Sequence, residues 1–176
     1  GLYRIWAIEK GGCATKGSFI PKDRWQRIQQ GERILNKLLN YTTMLPIGED
    51  MGCDINDIRE SMNTQAICGT RVIRWEKDEK TGAFFDLQQY NPLSLTSVSN
   101  HDSSTLAAWW QSEPSEAEKY CHFRSLRYSK EFSKKLNTQI LVDSHSSSSL
   151  FHVNPLYEYL SLFETLRWAR IEDERI

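Results

Sequence analysis

The chain has 176 residues, 39% of them hydrophobic and 26% charged, which is the composition of an ordinary globular domain and excludes a disordered or fibrous protein. The formal net charge of −1 gives no electrostatic reason to expect nucleic acid or an acidic membrane surface as a partner, and no apolar run reaches the 18 or so residues that a spanning helix needs. A neutral partner fits better, and six Trp and seven Tyr supply flat faces that suit either a core or a site for stacking on sugar rings.

The chain opens on Gly1 and runs at once into LYRIWAI, which reads as the continuation of an element, and it closes on the charged stretch EDERI; it reads as cut at both ends. A Gly-rich connection, GGCATKG, follows the opening. In PKDRWQRIQQGERILNKLLN, Trp25, Ile28, Ile34, Leu35, Leu38 and Leu39 recur at helical spacing with Asp23 as N-cap, so a helix is predicted, weakened in its middle by Gly31. TTMLPIGEDMG begins as an apolar run of strand length and ends in Gly-flanked acids. A second helix follows, with Asp54 as its cap and Ile55, Ile58 and Met62 on one face.

GTRVIRWE alternates and is rich in β-branched and aromatic residues, which predicts a strand, and KDEKTGAFFDLQQYNP reads as a long connection. PLSLTSVSN is the next strand, followed by a helix from about Ser104 and a second helical start at Pro114 with Ser112 as cap. The rest of the chain holds a serine-rich turn, a strand at 150–153 and a helix at 157–168. Helices and strands alternate, which argues for a parallel α/β architecture with ligands at the C-terminal ends of the strands. There is no internal repeat, no P-loop and no G-x-G-x-x-G.

Cys13, Cys53, Cys68 and Cys121 never approach a C-x-x-C spacing, so no zinc site is expected, and with no leader segment visible they read as reduced and cytoplasmic. SHSSSS lacks the G-x-S-x-G elbow that a serine hydrolase would need.

Two acids fall where such a fold puts its chemistry: Glu49 after MLPIG and Asp102 after LSLTSVSN. Asp102 precedes a helix that Ser103 or Ser104 can cap, so the helix dipole would keep it ionised, and a fixed negative charge there suits an oxocarbenium-like transition state. His101 beside it can hold a sugar hydroxyl. Glu49 lies between Gly48, whose missing side chain would admit a ligand, and Asp50, whose like charge would raise the Glu49 pKa in the direction a general acid needs. Each has a plainer reading as well: Asp102 as a helix cap, Glu49 as a solvated loop acid, His101 as a structural histidine, and Trp109 and Trp110 as core.

MLPIGEDMG, SNHDSSTLAAWW, LFHVNPLYEYL and EDERI, in this order, resemble the C-terminal half of the 4-α-glucanotransferases, the amylomaltase or disproportionating-enzyme family, and GLYRIWAI resembles the segment after that family's R-I-D-H motif. The resemblance covers almost the whole chain. It implies that residues 1–176 are the C-terminal part of a single (β/α)8 TIM-type barrel related to the α-amylases, transferring α-1,4-glucan segments to the 4-hydroxyl of glucose or a glucan with retention. By the same resemblance Glu49 is the general acid/base, Asp102 the transition-state stabiliser and His101 a substrate-binding residue, with no metal or organic cofactor. The family's nucleophilic aspartate would lie upstream of Gly1, so the chain alone should be inactive and its partners would be maltodextrin-type oligosaccharides, glucose and the N-terminal half of the barrel. Met51 and the residues after Pro155 depart from the common family pattern without touching the proposed acids. The alternative is a non-catalytic glucan-binding or assembly piece.

Overall fold

The apolar opening becomes β1 (Ile5–Ala7), which pairs antiparallel with β2 (Ser18–Ile20) in the register Ile5 to Ile20, Trp6 to Phe19 and Ala7 to Ser18. The Gly-rich segment is therefore the loop of a hairpin, and β2 was hidden behind it. The computed structural model describes residues 1–52 and 54–163. Its chain divides into two compact units, Gly1–Gly69 and Thr70–Ile176.

In the first unit α1 (Arg24–Asn40) forms as its periodicity predicts, and Asp23 caps it by accepting from the Gln26 amide at 2.8 Å. The buried stripe is narrower than the sequence suggests. Leu35 is buried, Ile28 and Leu39 are partly so, and Trp25 and Leu38 face solvent. Gly31 lies within that stripe, and an added Cβ would come within 2.2 Å of the Tyr3 ring. What reads as a weak point in the helix is the place where an aromatic ring packs against its backbone.

The run before Glu49 is not a full strand; Ile47 makes a single parallel bridge to Cys68, with the Gly48 amide donating to the Cys68 carbonyl at 2.8 Å. α2 (Asn56–Thr64) follows, but Asp54 does not cap it. Its backbone is left-handed, at φ 53°, rather than extended as a capping residue's is, the N-cap position falls to Ile55, and the Asp54 carboxylate lies 3.6 Å from both Arg4 and Arg27. Tyr3, Leu35, Met62 and Ile67 make the core of this unit.

In the second unit β3 (Gly69–Val72), β4 (Ser94–Ser97) and β5 (Phe151–His152) form a sheet in the order β3-β4-β5, with β4 and β5 parallel. The long connection before β4 is folded: Lys77 bridges Phe84 antiparallel, and Leu87 is fully buried in a single 3-10 turn. Between β4 and β5 run α3 (Leu106–Ser112), α4 (Pro114–Phe123) and α5 (Lys134–His145). α3 starts two residues later than expected, and its cap is Thr105, whose Oγ1 accepts from the Ala108 amide at 3.2 Å, rather than Ser103 or Ser104. Ser112 does not cap α4 either; the N-cap is Glu113, and the Ser112 hydroxyl turns back to the Trp109 carbonyl at 3.4 Å.

The core here is larger and aromatic, with Trp109, Trp110, Tyr120 and Phe132 buried among Ile73, Leu87, Val98, Leu106 and Ile140. Both tryptophans are thus packing residues, 3% and 1% exposed. Buried Asp143 is held by the Tyr120 hydroxyl at 2.5 Å, by two Arg124 nitrogens at 2.8 and 2.9 Å, and by Gln139 at 3.0 Å. Desolvation in this core, reinforced by the Asp143 charge, pushes the Tyr120 phenol well above its ordinary value.

The serine-rich turn supplies a ladder of buried hydroxyls. Ser149 meets both Ser94 and Thr96 at 2.6 Å, and Ser147 donates to Thr96 at 3.0 Å, which stitches the turn to β4. The last described helix is α6 (Leu156–Leu160), whose C-cap is Ser161, so the predicted 157–168 helix stops short and 161–163 are turn and bend; residues 164–168 and the EDERI stretch lie outside the described residues. No helix among the described residues is long and apolar enough to cross a membrane.

Candidate functional site

Glu49 is exposed and lines an open cleft of about 460 Å³ in the first unit, together with Tyr3, Arg4, Trp6 and Phe19. The hairpin builds the aromatic wall. Trp6 meets Phe19 edge to face, with centroids 4.8 Å apart, and the Trp6 indole N–H donates to the Ala14 carbonyl at 2.9 Å. Gly17 is required for this arrangement, because a Cβ there would sit 2.4 Å from the indole nitrogen. The Arg4 guanidinium stacks 3.9 Å from the Phe19 centroid, so a cation backs the ring. Tyr3 is tied to Ser61 at 3.0 Å, and burial lifts its phenol above the ordinary value.

The neighbours of Glu49 do not act as the sequence suggests. Asp50 is buried and pairs with Arg59 at 3.1 Å, so its charge is offset by a guanidinium. At Gly48 an added Cβ would meet the Met62 methyl at 2.6 Å; the missing side chain serves packing rather than ligand approach.

His101 and Asp102 belong to the second unit, on the turn between β4 and α3, and the structure brings them together, with His101 Nε2 3.4 Å from Asp102 Oδ2. Their side chains are 81% and 60% exposed, so both are available to a ligand. The turn is organised from within: the Asp102 amide donates to Asn100 Oδ1 at 3.1 Å, and the Ser103 hydroxyl accepts from the Asn100 amide at 2.9 Å. The helix N-terminus behind the turn is not occupied by Asp102. Glu158, fully buried, reaches it from α6: one carboxylate oxygen accepts from the Leu106 amide at 3.0 Å and from the Ser99 hydroxyl at 2.5 Å.

Glu158 and the cleft wall of Trp6 and Phe19 were not singled out from the sequence. The signal for Glu158 was a lone acid between aromatic and aliphatic residues in PLYEYL; for Trp6 it was a tryptophan in a short alternating stretch before a Gly-rich turn.

The candidate residues thus comprise an exposed acid on an aromatic-walled cleft in the first unit and an exposed His-Asp pair at a strand-to-helix turn in the second. Two solved structures share the fold. The amylomaltase from Corynebacterium glutamicum aligns over 89% of this chain and 27% of its own, with a TM-score of 0.60 and 16% identity. The amylomaltase from Streptococcus agalactiae in complex with acarbose aligns over 92% of this chain and 31% of its own, with a TM-score of 0.60 and 17% identity.

At the level of sequence, the model of the family described as 4-alpha-glucanotransferase matches residues 1–169, and the chain belongs to that family. The 4-alpha-glucanotransferase of Chlamydia trachomatis serovar D is 44% identical over 177 residues, which cover 100% of this chain and 33% of that protein. The 4-alpha-glucanotransferase of Chlamydia pneumoniae is 40% identical over the same shares. The chain thus spans about a third of the length of the curated relatives it matches.

Proposed function

We propose that residues 1–176 are the C-terminal part of a single (β/α)8 catalytic domain that transfers α-1,4-glucan segments from a maltodextrin donor to the 4-hydroxyl of glucose or a glucan, with retention. The observation that carries this reading is the family match over residues 1–169 in a chain whose Glu49 lines an aromatic cleft. Glu49 is the general acid/base. It protonates the leaving glycosidic oxygen, and after a glycosyl-enzyme forms it takes the proton of the incoming 4-hydroxyl. Asp102 stabilises the positive charge that develops on the sugar ring, and His101 holds a hydroxyl beside it.

Retention requires a second carboxylate as nucleophile, about 5–5.5 Å from the acid/base. By the resemblance of GLYRIWAI to the segment after R-I-D-H, that nucleophile is assigned upstream of Gly1, so activity belongs to the longer protein. The chain calls on no metal or organic cofactor, and its setting is the cytoplasm. The acarbose complex of the Streptococcus agalactiae amylomaltase supports an oligosaccharide-type ligand. Trp6 and Phe19 are suited to the apolar faces of pyranose rings.

The test is maltotriose disproportionation by the complete enzyme, followed by chromatography. Glu49→Gln should lower transfer by roughly 10²–10⁴-fold, as loss of a positioned acid/base does, while maltodextrin binding stays nearly unchanged. Transfer that survives the substitution removes Glu49 from its role. Binding without any transfer in the complete wild-type protein would instead favour the non-catalytic glucan-binding reading.

A further inference from the structure

The side chains of His101 and Asp102 stand in the open, so the backbone of the 100–104 turn sets where they point. That turn is gripped from β3's continuation. Arg74, in the 3-10 turn Ile73–Trp75, is only 4% exposed, yet its fork reaches the turn from below: Nη2 donates to the Ser103 hydroxyl at 2.6 Å and to the Ser104 carbonyl, and Nη1 donates to the Ser104 hydroxyl at 3.3 Å. Its guanidinium also lies 5.8 and 6.0 Å from the ring centroids of Trp109 and Trp75.

Ser103 is the joint. Its oxygen accepts from Arg74 and from the Asn100 amide at 2.9 Å, and its hydrogen goes to the Asn100 carbonyl at 3.0 Å, which uses its full hydrogen-bonding capacity. One side chain thereby locks both ends of the segment that carries His101 and Asp102. Burying a guanidinium carries a desolvation penalty that an apolar residue would avoid, and its planar fork is preorganised to hold two adjacent residues at once, whereas a lysine ammonium is a compact point charge on a flexible stem.

We infer that Arg74 is a positioning residue for the transfer reaction, fixing through Ser103 and Ser104 the turn that presents His101 and Asp102. The inference rests on the role proposed above for Asp102. A displacement of about 1 Å at a reacting centre costs on the order of 10²-fold in rate, whereas ground-state binding is spread over many contacts. Loss of the clamp therefore acts on kcat more than on KM.

The experiment compares Arg74→Lys, Ser103→Ala, Ser103→Thr and Asp102→Asn in the complete enzyme, with kcat and KM for maltotriose and the thermal midpoint of each. Arg74→Lys and Ser103→Ala should lower kcat by roughly 10- to 100-fold and leave KM within about threefold, and Ser103→Thr, which keeps the hydroxyl, should retain most of the rate. Unchanged kcat per folded molecule in Ser103→Ala and Arg74→Lys, with Asp102→Asn still crippled, overturns the inference alone. Full turnover in Asp102→Asn overturns the proposed role of Asp102 and the inference with it. If Arg74→Lys does not fold, Ser103→Ala decides, because it leaves the buried cation in place.

Discussion

Gly31 shows how a single residue can carry the opposite meaning in sequence and in structure. By helix propensity, Gly31→Ala should stabilise α1 by about 1 kcal/mol. The new methyl, however, would lie 2.2–2.5 Å from three atoms of the Tyr3 ring, and that ring is anchored by its hydroxyl to Ser61. Overpacking of this kind costs about 1–3 kcal/mol, so the substitution should destabilise the chain in urea unfolding, and the sign should reverse in a Tyr3→Ala background. A second residue carries a pH dependence. Lys119 first, then Lys77, hold the Glu116 carboxyl below its ordinary value near 4.5. Because the folded value lies below the unfolded one, the stabilisation is complete above about 4.5 and is lost as pH falls through the folded value. Glu116→Gln should therefore flatten the acid limb of a stability-against-pH curve and leave its slope at neutral pH unchanged.

Among the elements, α1 was legible because period, cap and length agreed; the structure narrows its buried stripe and turns Gly31 from a weak point into a packing site. α3 was legible as a helix but not in its start. Ser103, Ser104 and Thr105 are all cap-forming types, and only the backbone decides among them: Thr105 has the extended ψ of 159° that aims its hydroxyl at the Ala108 amide, while Ser103 and Ser104 are taken by Arg74. Thr105→Ala should thus cost about 1 kcal/mol in thermal or urea unfolding, a loss that neither neighbouring serine can make good. The strand expected before Glu49 shrinks to one bridge for a different reason: Pro46 has no amide to donate, leaving Gly48 and Cys68 to make the bonds. Of the candidate site, Glu49, Asp102 and His101 were singled out from the sequence by residue type and by position after a strand-like run, and the structure leaves all three exposed. Glu158 and Arg74 were not singled out, because their importance comes from what they reach across 29 to 52 residues of chain.

Across the whole molecule, the two units differ in how much apolar surface they bury. The first has a core of Tyr3, Leu35, Met62 and Ile67; the second adds Trp109, Trp110, Tyr120 and Phe132 to a larger aliphatic set. Local opening follows buried apolar contact, so the amides of α3 and α5 should exchange with deuterium at least about tenfold more slowly than those of α1 and α2. Equal protection in the two units would mean that core size does not govern opening here. The unequal division was not legible in composition, because Trp25 and Leu38 carry the same apolar signal as Leu35 and yet face water.

The hydroxyl ladder of Ser94, Thr96, Ser147 and Ser149 constrains how this chain can change over time. Replacing one member strands the partner that relied on it, while replacing coupled members together with apolar groups removes both demands. An evolutionary path from this hydroxyl-lined interior to an oily one therefore descends through less stable single variants before it climbs again, and the polar interior persists by inheritance as much as by advantage.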